Sequence, residues 1–174
     1  YIDNPKISLK EMMKYIPAPD FPTGGYIIAG EELEEAYKTG RGKIKIRARV
    51  NIEKESGDKQ NLIISELPYQ VNKANLLKKI SDMREDKKEF VSAIADVVDE
   101  SDRNGMRAVI KLKKEADAKA ILNYLYKNSE LETTFGINMV AIAGGKPMQM
   151  GLLDIISYYV NYQREVVLRR CKFD

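Results

Sequence analysis

The sequence predicts an α+β fold: antiparallel hairpins packed with helices in a ββαββα-like core, followed by a long C-terminal helix. Three observations lead there. Between Lys43 and Glu53 the chain alternates, with Ile44, Ile46, Ala48, Val50 and Ile52 on one face and Lys43, Lys45, Arg47, Arg49, Asn51 and Glu53 on the other. Asn104-Gly105, set between two β-branched runs, is a hairpin turn signal. After Leu152, the residues Leu153, Ile156, Tyr159, Val160, Gln163, Val166, Val167 and Arg170 step at three and four, which is the period of an amphipathic helix.

The elements follow in order. Ser8-Leu-Lys-Glu11 is a capping-box pattern, and Leu9, Met12, Met13 and Ile16 then recur at helical spacing until Pro17 stops the helix. Pro17-Ala-Pro-Asp-Phe-Pro-Thr-Gly-Gly25 is a rigid segment, because its prolines fix the backbone; Thr23 to Gly25 reads as a packing junction. Glu31 to Tyr37 is expected as a short helix. The alternating strand then runs to Glu53, Ser56-Gly57-Asp58 turns the chain, and Gln60 to Leu67 returns as its antiparallel partner, ending at Pro68.

Asn72 caps a helix that buries Leu76, Leu77, Ile80 and Met83 and exposes Lys73, Lys78, Lys79, Arg84, Lys87 and Lys88. Glu85, Asp86 and Glu89 interleave with the later lysines, so that half reads as a solubilising face. Ala93 to Asp99 and Met106 to Lys113 form the second hairpin. Its acids Asp96, Asp99, Glu100 and Asp102 lack the calcium-loop pattern and sit where turn-forming residues belong. Asp117 opens a helix carrying Ile121, Leu122 and Leu125, and Ile137 to Ile142 pairs with Lys146 to Met150 across Gly144-Gly145. On the final helix Tyr159 is expected to pack, whereas Tyr158 and Tyr162 are open between packing and an aromatic surface.

Composition narrows the chemistry. The 174 residues carry 29 Lys and Arg against 26 Asp and Glu, a net charge of +3, so affinity for a polyanion has to come from local clustering. Histidine is absent, which removes Ser-His-Asp and Cys-His catalysis and His-based zinc sites. Cys171 stands alone and reads as a surface thiol in a reducing compartment. No apolar run approaches a membrane span and no leader pattern opens the chain, so a soluble, cytoplasmic protein without membrane contact is expected. A start at Tyr1 and an end at Asp174 within a helical pattern are expected of a piece of a longer protein.

The densest charge lies between Lys38 and Arg49, with six basic residues and no acidic one. Strand geometry spaces alternate side chains roughly 6.5 to 7 Å apart, so Lys43, Lys45, Arg47 and Arg49 can follow a phosphate backbone. Gly40 and Gly42 would let backbone N–H groups around Arg41 approach an anion. An ordinary solvated sheet face that resists edge-to-edge association explains the same row.

Five segments in order carry a resemblance: Pro17 to Gly25, Tyr37-Lys-Thr-Gly-Arg-Gly42, Ser65-Glu-Leu-Pro-Tyr-Gln-Val-Asn-Lys73, Asp99-Glu-Ser-Asp-Arg-Asn-Gly-Met-Arg107 and Phe135-Gly-Ile-Asn-Met139. Together they resemble the A subunit of bacterial type IIA topoisomerases, DNA gyrase and topoisomerase IV, essentially end to end. The resemblance implies residues 1–36 as connector helices and a Pro-Gly loop following a winged-helix domain. It makes 37–150 an α/β tower module beside cleaved DNA, and 151–174 the start of a coiled-coil helix. It also implies an A2B2 assembly, in which the B subunit holds ATP and Mg2+ and a second A subunit completes the enzyme, with no cofactor in this fragment.

In that family an arginine directly precedes the nucleophilic tyrosine, and none of the ten tyrosines here follows one, so no catalytic residue carries over; the resemblance places the magnesium site on the B subunit, so no metal-binding residue is expected here either. What carries over is the holding of duplex DNA without sequence specificity, by Thr39, Gly40, Arg41, Gly42, Lys43, Lys45 and Arg47. Lys38, Arg49, Tyr69, Gln70, Asn72 and Lys73 are a second tier. Two other readings fit the residues: a structural spacer that transmits motion between gates, and a sheet-surface RNA-binding module, against which the lack of stacking aromatics on the charged strand face counts.

Overall fold

Local signals account for the helix starts in the computed structural model, which describes residues 1–85 and 91–173. Ser8 accepts the Glu11 N–H at 3.3 Å while the Glu11 carboxylate accepts the Ser8 N–H at 3.0 Å, so helix α1 (Leu9–Met12) begins on a reciprocal capping box. Strand β1 (Tyr26–Ile28) is not predicted by the sequence, since three residues are too few to show a period. Helix α2 (Glu31–Thr39) has acids in its first turn, which suit the positive end of the helix dipole. It stops at Gly40, whose φ of 82° is left-handed and whose N–H donates to the Ala36 carbonyl at 2.8 Å.

The single strand expected from Lys43 to Glu53 is two strands, β2 (Arg41–Arg47) and β3 (Arg49–Lys54), which belong to different sheets. Ala48 separates them for a physical reason. Its N–H donates to the Leu131 carbonyl at 2.7 Å and its carbonyl accepts the Tyr126 hydroxyl at 3.2 Å, so both backbone groups leave the strand ladders. The hairpin with β4 (Gln60–Glu66) is therefore shorter than expected, pairing Lys54 with Gln60 and Val50 with Ile64, with a register shift next to Arg49.

The remaining elements are helix α3 (Lys73–Glu85), a 3-10 turn at Val91–Ala93, strands β5 (Ile94–Asp99) and β6 (Ala108–Leu112), helix α4 (Ala118–Asn128), strands β7 (Glu132–Asn138), β8 (Val140–Ala143) and β9 (Lys146–Gln149), and helix α5 (Leu152–Phe173). The Asn72 side chain accepts the Asn75 N–H at 3.0 Å and the Asp117 side chain accepts the Ala120 N–H at 3.1 Å, so both expected caps are made. The stretch expected as one strand over Ile137–Ile142 divides at Met139, and β7 starts earlier than expected, at Glu132. Lys87 and Lys88, with Asp86 and Glu89, lie outside the described residues. Sheet orders are β1-β2-β7, β3-β4-β6-β5 and β8-β9.

The chain divides into two compact units, one of Tyr1–Pro19, Ala29–Ile44 and Thr134–Asp174, the other of Asp20–Ile28 and Lys45–Thr133. In the second, Leu62 and Ile64 of β4, Ile110 of β6, Leu76 and Ile80 of α3, and Ile121 and Leu125 of α4 are fully buried in one cluster. Apolar burial on this scale, about 25 cal/mol per Å2, is what holds the four-stranded sheet to its helices. In the first unit α1, α2 and α5 pack on one another, with Met12, Leu33, Ala36, Tyr37 and Leu152 buried. The apolar stripe of α5 runs on beyond those contacts, so Tyr159, expected to pack, is 61% exposed. No helix among the described residues is long and apolar enough to cross a membrane.

Candidate nucleic-acid interface

On the sequence, Gly40 and Gly42 are expected to open the backbone around Arg41 to an anion. Lys38 and Thr39 complete the last turn of α2, Arg41 opens β2, and Gly40 alone joins helix to strand. The Thr39 hydroxyl lies 2.9 Å from the Glu35 and Arg41 carbonyl oxygens and accepts the Arg41 N–H at 3.3 Å, so it is engaged with its own backbone. Gly40 accepts the Met139 N–H at 2.7 Å, and an added Cβ there would collide with the Met150 carbonyl. A Cβ on Gly42 would come within 2.7 Å of the Ala36 Cβ. Both glycines thus serve close packing within the first unit.

Arg41 and Lys43 project outward from the first half of β2, exposed, with Ile44 buried beneath them. Among the described residues neither forms an ion pair. They line a shallow groove with Gly42 and with Glu31, Glu32 and Glu35 of α2. The acids leave the groove mixed in charge, and at physiological salt their influence fades beyond about 8 Å.

In the second unit three cations of the row, Lys45, Arg47 and Arg49, have acidic partners. The Arg47 guanidinium donates from Nε at 2.8 Å and from Nη2 at 2.5 Å to Glu132 Oε2, and lies 4.5 Å from the centre of the Tyr126 ring. Burial pushes the Tyr126 phenol above its usual pKa, with Arg47 pulling the other way. Lys45 Nζ stands 3.8 Å from the other Glu132 oxygen. Arg49 lies over the Tyr26 ring at 5.0 Å, and its Nε is 3.3 Å from Glu66 Oε2, close enough for an ion pair but not aligned as a hydrogen bond. That same carboxylate oxygen accepts the Gly25 N–H at 2.6 Å, which makes Gly24-Gly25 the packing junction expected of it.

Three of the second-tier residues have structural tasks. Tyr69 packs on Phe21 with ring centres 5.6 Å apart, Asn72 caps α3, and Lys73 Nζ pairs with Asp99 at 2.7 Å. Gln70 is exposed, with φ at 68°. The acids of the second hairpin are likewise engaged. Asp96 faces Arg84 at 3.6 Å, Glu100 accepts from Arg107 at 3.2 Å, and Asp102 accepts the Asn104 N–H at 2.8 Å. The Lys73 ammonium, then Ser101, hold the Asp99 carboxyl down at a pKa of about 2. Among the described residues no group of three or more acids and cysteines is placed to hold a metal ion.

Sequence reasoning missed Glu132, Glu66, Tyr26 and Tyr126, the residues that hold Arg47 and Arg49. A run of Thr133, Thr134 and Phe135 after Glu132 is a weak strand signal, but nothing in it says which strand lies alongside.

Comparison with known proteins places these features in a family. The family model for the A subunit of DNA gyrase/topoisomerase IV matches residues 1–174. The chain is 50% identical over 174 residues to the A subunit of DNA topoisomerase 4 from Staphylococcus epidermidis, covering 100% of this chain and 22% of that protein. It is 49% identical over 173 residues to the protein of the same name from Streptococcus pyogenes and 48% identical over 173 residues to the DNA gyrase A subunit of Clostridium acetobutylicum, in each case covering 99% of this chain and 21% of the relative. The chain thus spans about a fifth of the length of these relatives. With the match running from its first residue to its last, the chain belongs to the family of DNA gyrase and topoisomerase IV A subunits.

Proposed function

We propose that this chain is a DNA-holding tower segment of a type IIA topoisomerase A subunit. It grips the duplex backbone without reading sequence while the full enzyme cuts both strands, passes a second duplex and reseals. Residues 37–150 form the tower module, 1–36 connect it to a winged-helix domain, and 151–174 open the coiled-coil. The partners, in a cytoplasmic A2B2 assembly, are duplex DNA, the B subunit, and a second A subunit. ATP hydrolysis and Mg2+ belong to the B subunit, while the nucleophilic tyrosine lies outside this chain, so the segment alone is inactive.

The observation that carries the reading is the exposure of Arg41 and Lys43, free of ion pairs among the described residues, in a chain that matches this family throughout. Cations that neutralise phosphates release counterions, so each contact adds about 0.9 to the slope of log K against log salt. In the assembled enzyme, Arg41→Ala and Lys43→Ala should each reduce that slope by about one unit and weaken binding uniformly across sequences. Unchanged slopes would remove these residues from the interface. A spacer that carries motion between gates is the second reading, favoured by the 22-residue length of α5. Under it both substitutions leave binding intact.

A further inference from the structure

We infer that Glu132 is an internal stand-in for a DNA phosphate, which holds Lys45 and Arg47 when no duplex is bound and so sets how tightly this face grips DNA; the inference rests on the DNA-holding reading above. Both carboxylate oxygens point at the row, Oε1 towards Lys45 and Oε2 towards Arg47. A guanidinium donates to carboxylate and to phosphate oxygens alike, so the two anions compete for one site. The Tyr126 ring under Arg47 keeps that guanidinium in place whichever anion it faces.

Burial makes the charge of Glu132 count. Its side chain is 17% exposed, against 35% for Arg47 and 63% for Lys45, so solvent screens it less than the cations it faces. One carboxylate leaves two cations with a net charge of +1 where the sequence alone promises +2. Glu66, which faces Arg49, differs: its Oε2 also accepts the Gly25 N–H at 2.6 Å and is needed to hold that loop. The Lys45 contact to Glu132, at 3.8 Å, is the looser of the pair and the first that a phosphate would take over.

The test is duplex binding by the assembled enzyme across a salt series. Glu132→Gln keeps the shape and can still accept from Arg47, but it lacks the charge. It should steepen the slope of log K against log salt by about one unit and tighten binding several-fold near 0.1 M salt, and adding Lys45→Ala should cancel most of the gain. A cross-strand ion pair with only a structural role predicts lower stability and no tighter binding; that result in a folded Glu132→Gln enzyme overturns the inference. If Glu132→Gln does not fold, Lys45→Ala alone, at an exposed position, must lower the slope by about one unit, and an unchanged slope overturns the inference. Arg41→Ala and Lys43→Ala run alongside: if they lower the slope while Glu132→Gln leaves it alone, this inference fails and the DNA-holding reading stands; if none moves it, both fail.

Discussion

Gly40 sits where α2 must end and β2 must begin, with φ at 82° and the Met150 carbonyl against its missing side chain. An alanine there meets backbone strain and a collision with main chain, which cannot swing aside as a flexible side chain would. Gly40→Ala should therefore cost about 2 to 4 kcal/mol of stability, read as a lowered midpoint of denaturant unfolding; a change under about 0.5 kcal/mol would contradict the packing role. Sequence shows that Gly40 and Gly42 are special but not why, because close approach to an anion and close approach to a neighbouring element require the same missing Cβ. The counter-ions are harder still to read. Glu132 and Glu66 lie 85 and 17 positions from the arginines they hold, and only strand pairing brings them together.

At the scale of elements, periodicity reveals burial faces better than it reveals strand partners. Ile44, Ile46 and Ala48 are buried as the alternation requires, yet Ala48 gives its backbone bonds to Leu131 and Tyr126 and the chain changes sheet there. Alternation survives such a break, so no pattern of side chains marks it. Caps are legible because they are local: Ser8, Asn72 and Asp117 each bond within three residues, whereas β1 pairs across the chain, Tyr26 with Arg47. The clasp between α3 and β5 offers a titration. Lys73 first, and then Ser101, lower the Asp99 pKa from 3.8 to about 2, so the contribution of Asp99 is fully present above the unfolded value and is lost as pH falls through the folded one. The Asp99 carboxyl signal should titrate near 2 by NMR, and Lys73→Met should move it up; a midpoint near 4 would mean the clasp does not form.

For the whole chain, a net charge of +3 sets up no strong field, and what matters is where charge is left unpaired. Arg107 is held by Glu53 and Glu100, Lys73 by Asp99, Arg49 by Glu66, and Arg47 by Glu132. Within the basic row, Arg41 and Lys43 are exposed cations that, among the described residues, do not pair with the acids lining their groove. Fold class was legible from strand alternation, the Asn104-Gly105 turn and the helical stepping after Leu152, and family from five ordered motifs; the division of the basic row into held and available cations was not, since it depends on tertiary neighbours. The most direct measurement is the position of these two side chains in a structure of the assembled enzyme on duplex DNA. The account predicts the Arg41 guanidinium and the Lys43 ammonium within about 3 to 4 Å of phosphate oxygens. Phosphates no nearer than about 10 Å, beyond a Debye length at 0.1 M salt, would contradict it.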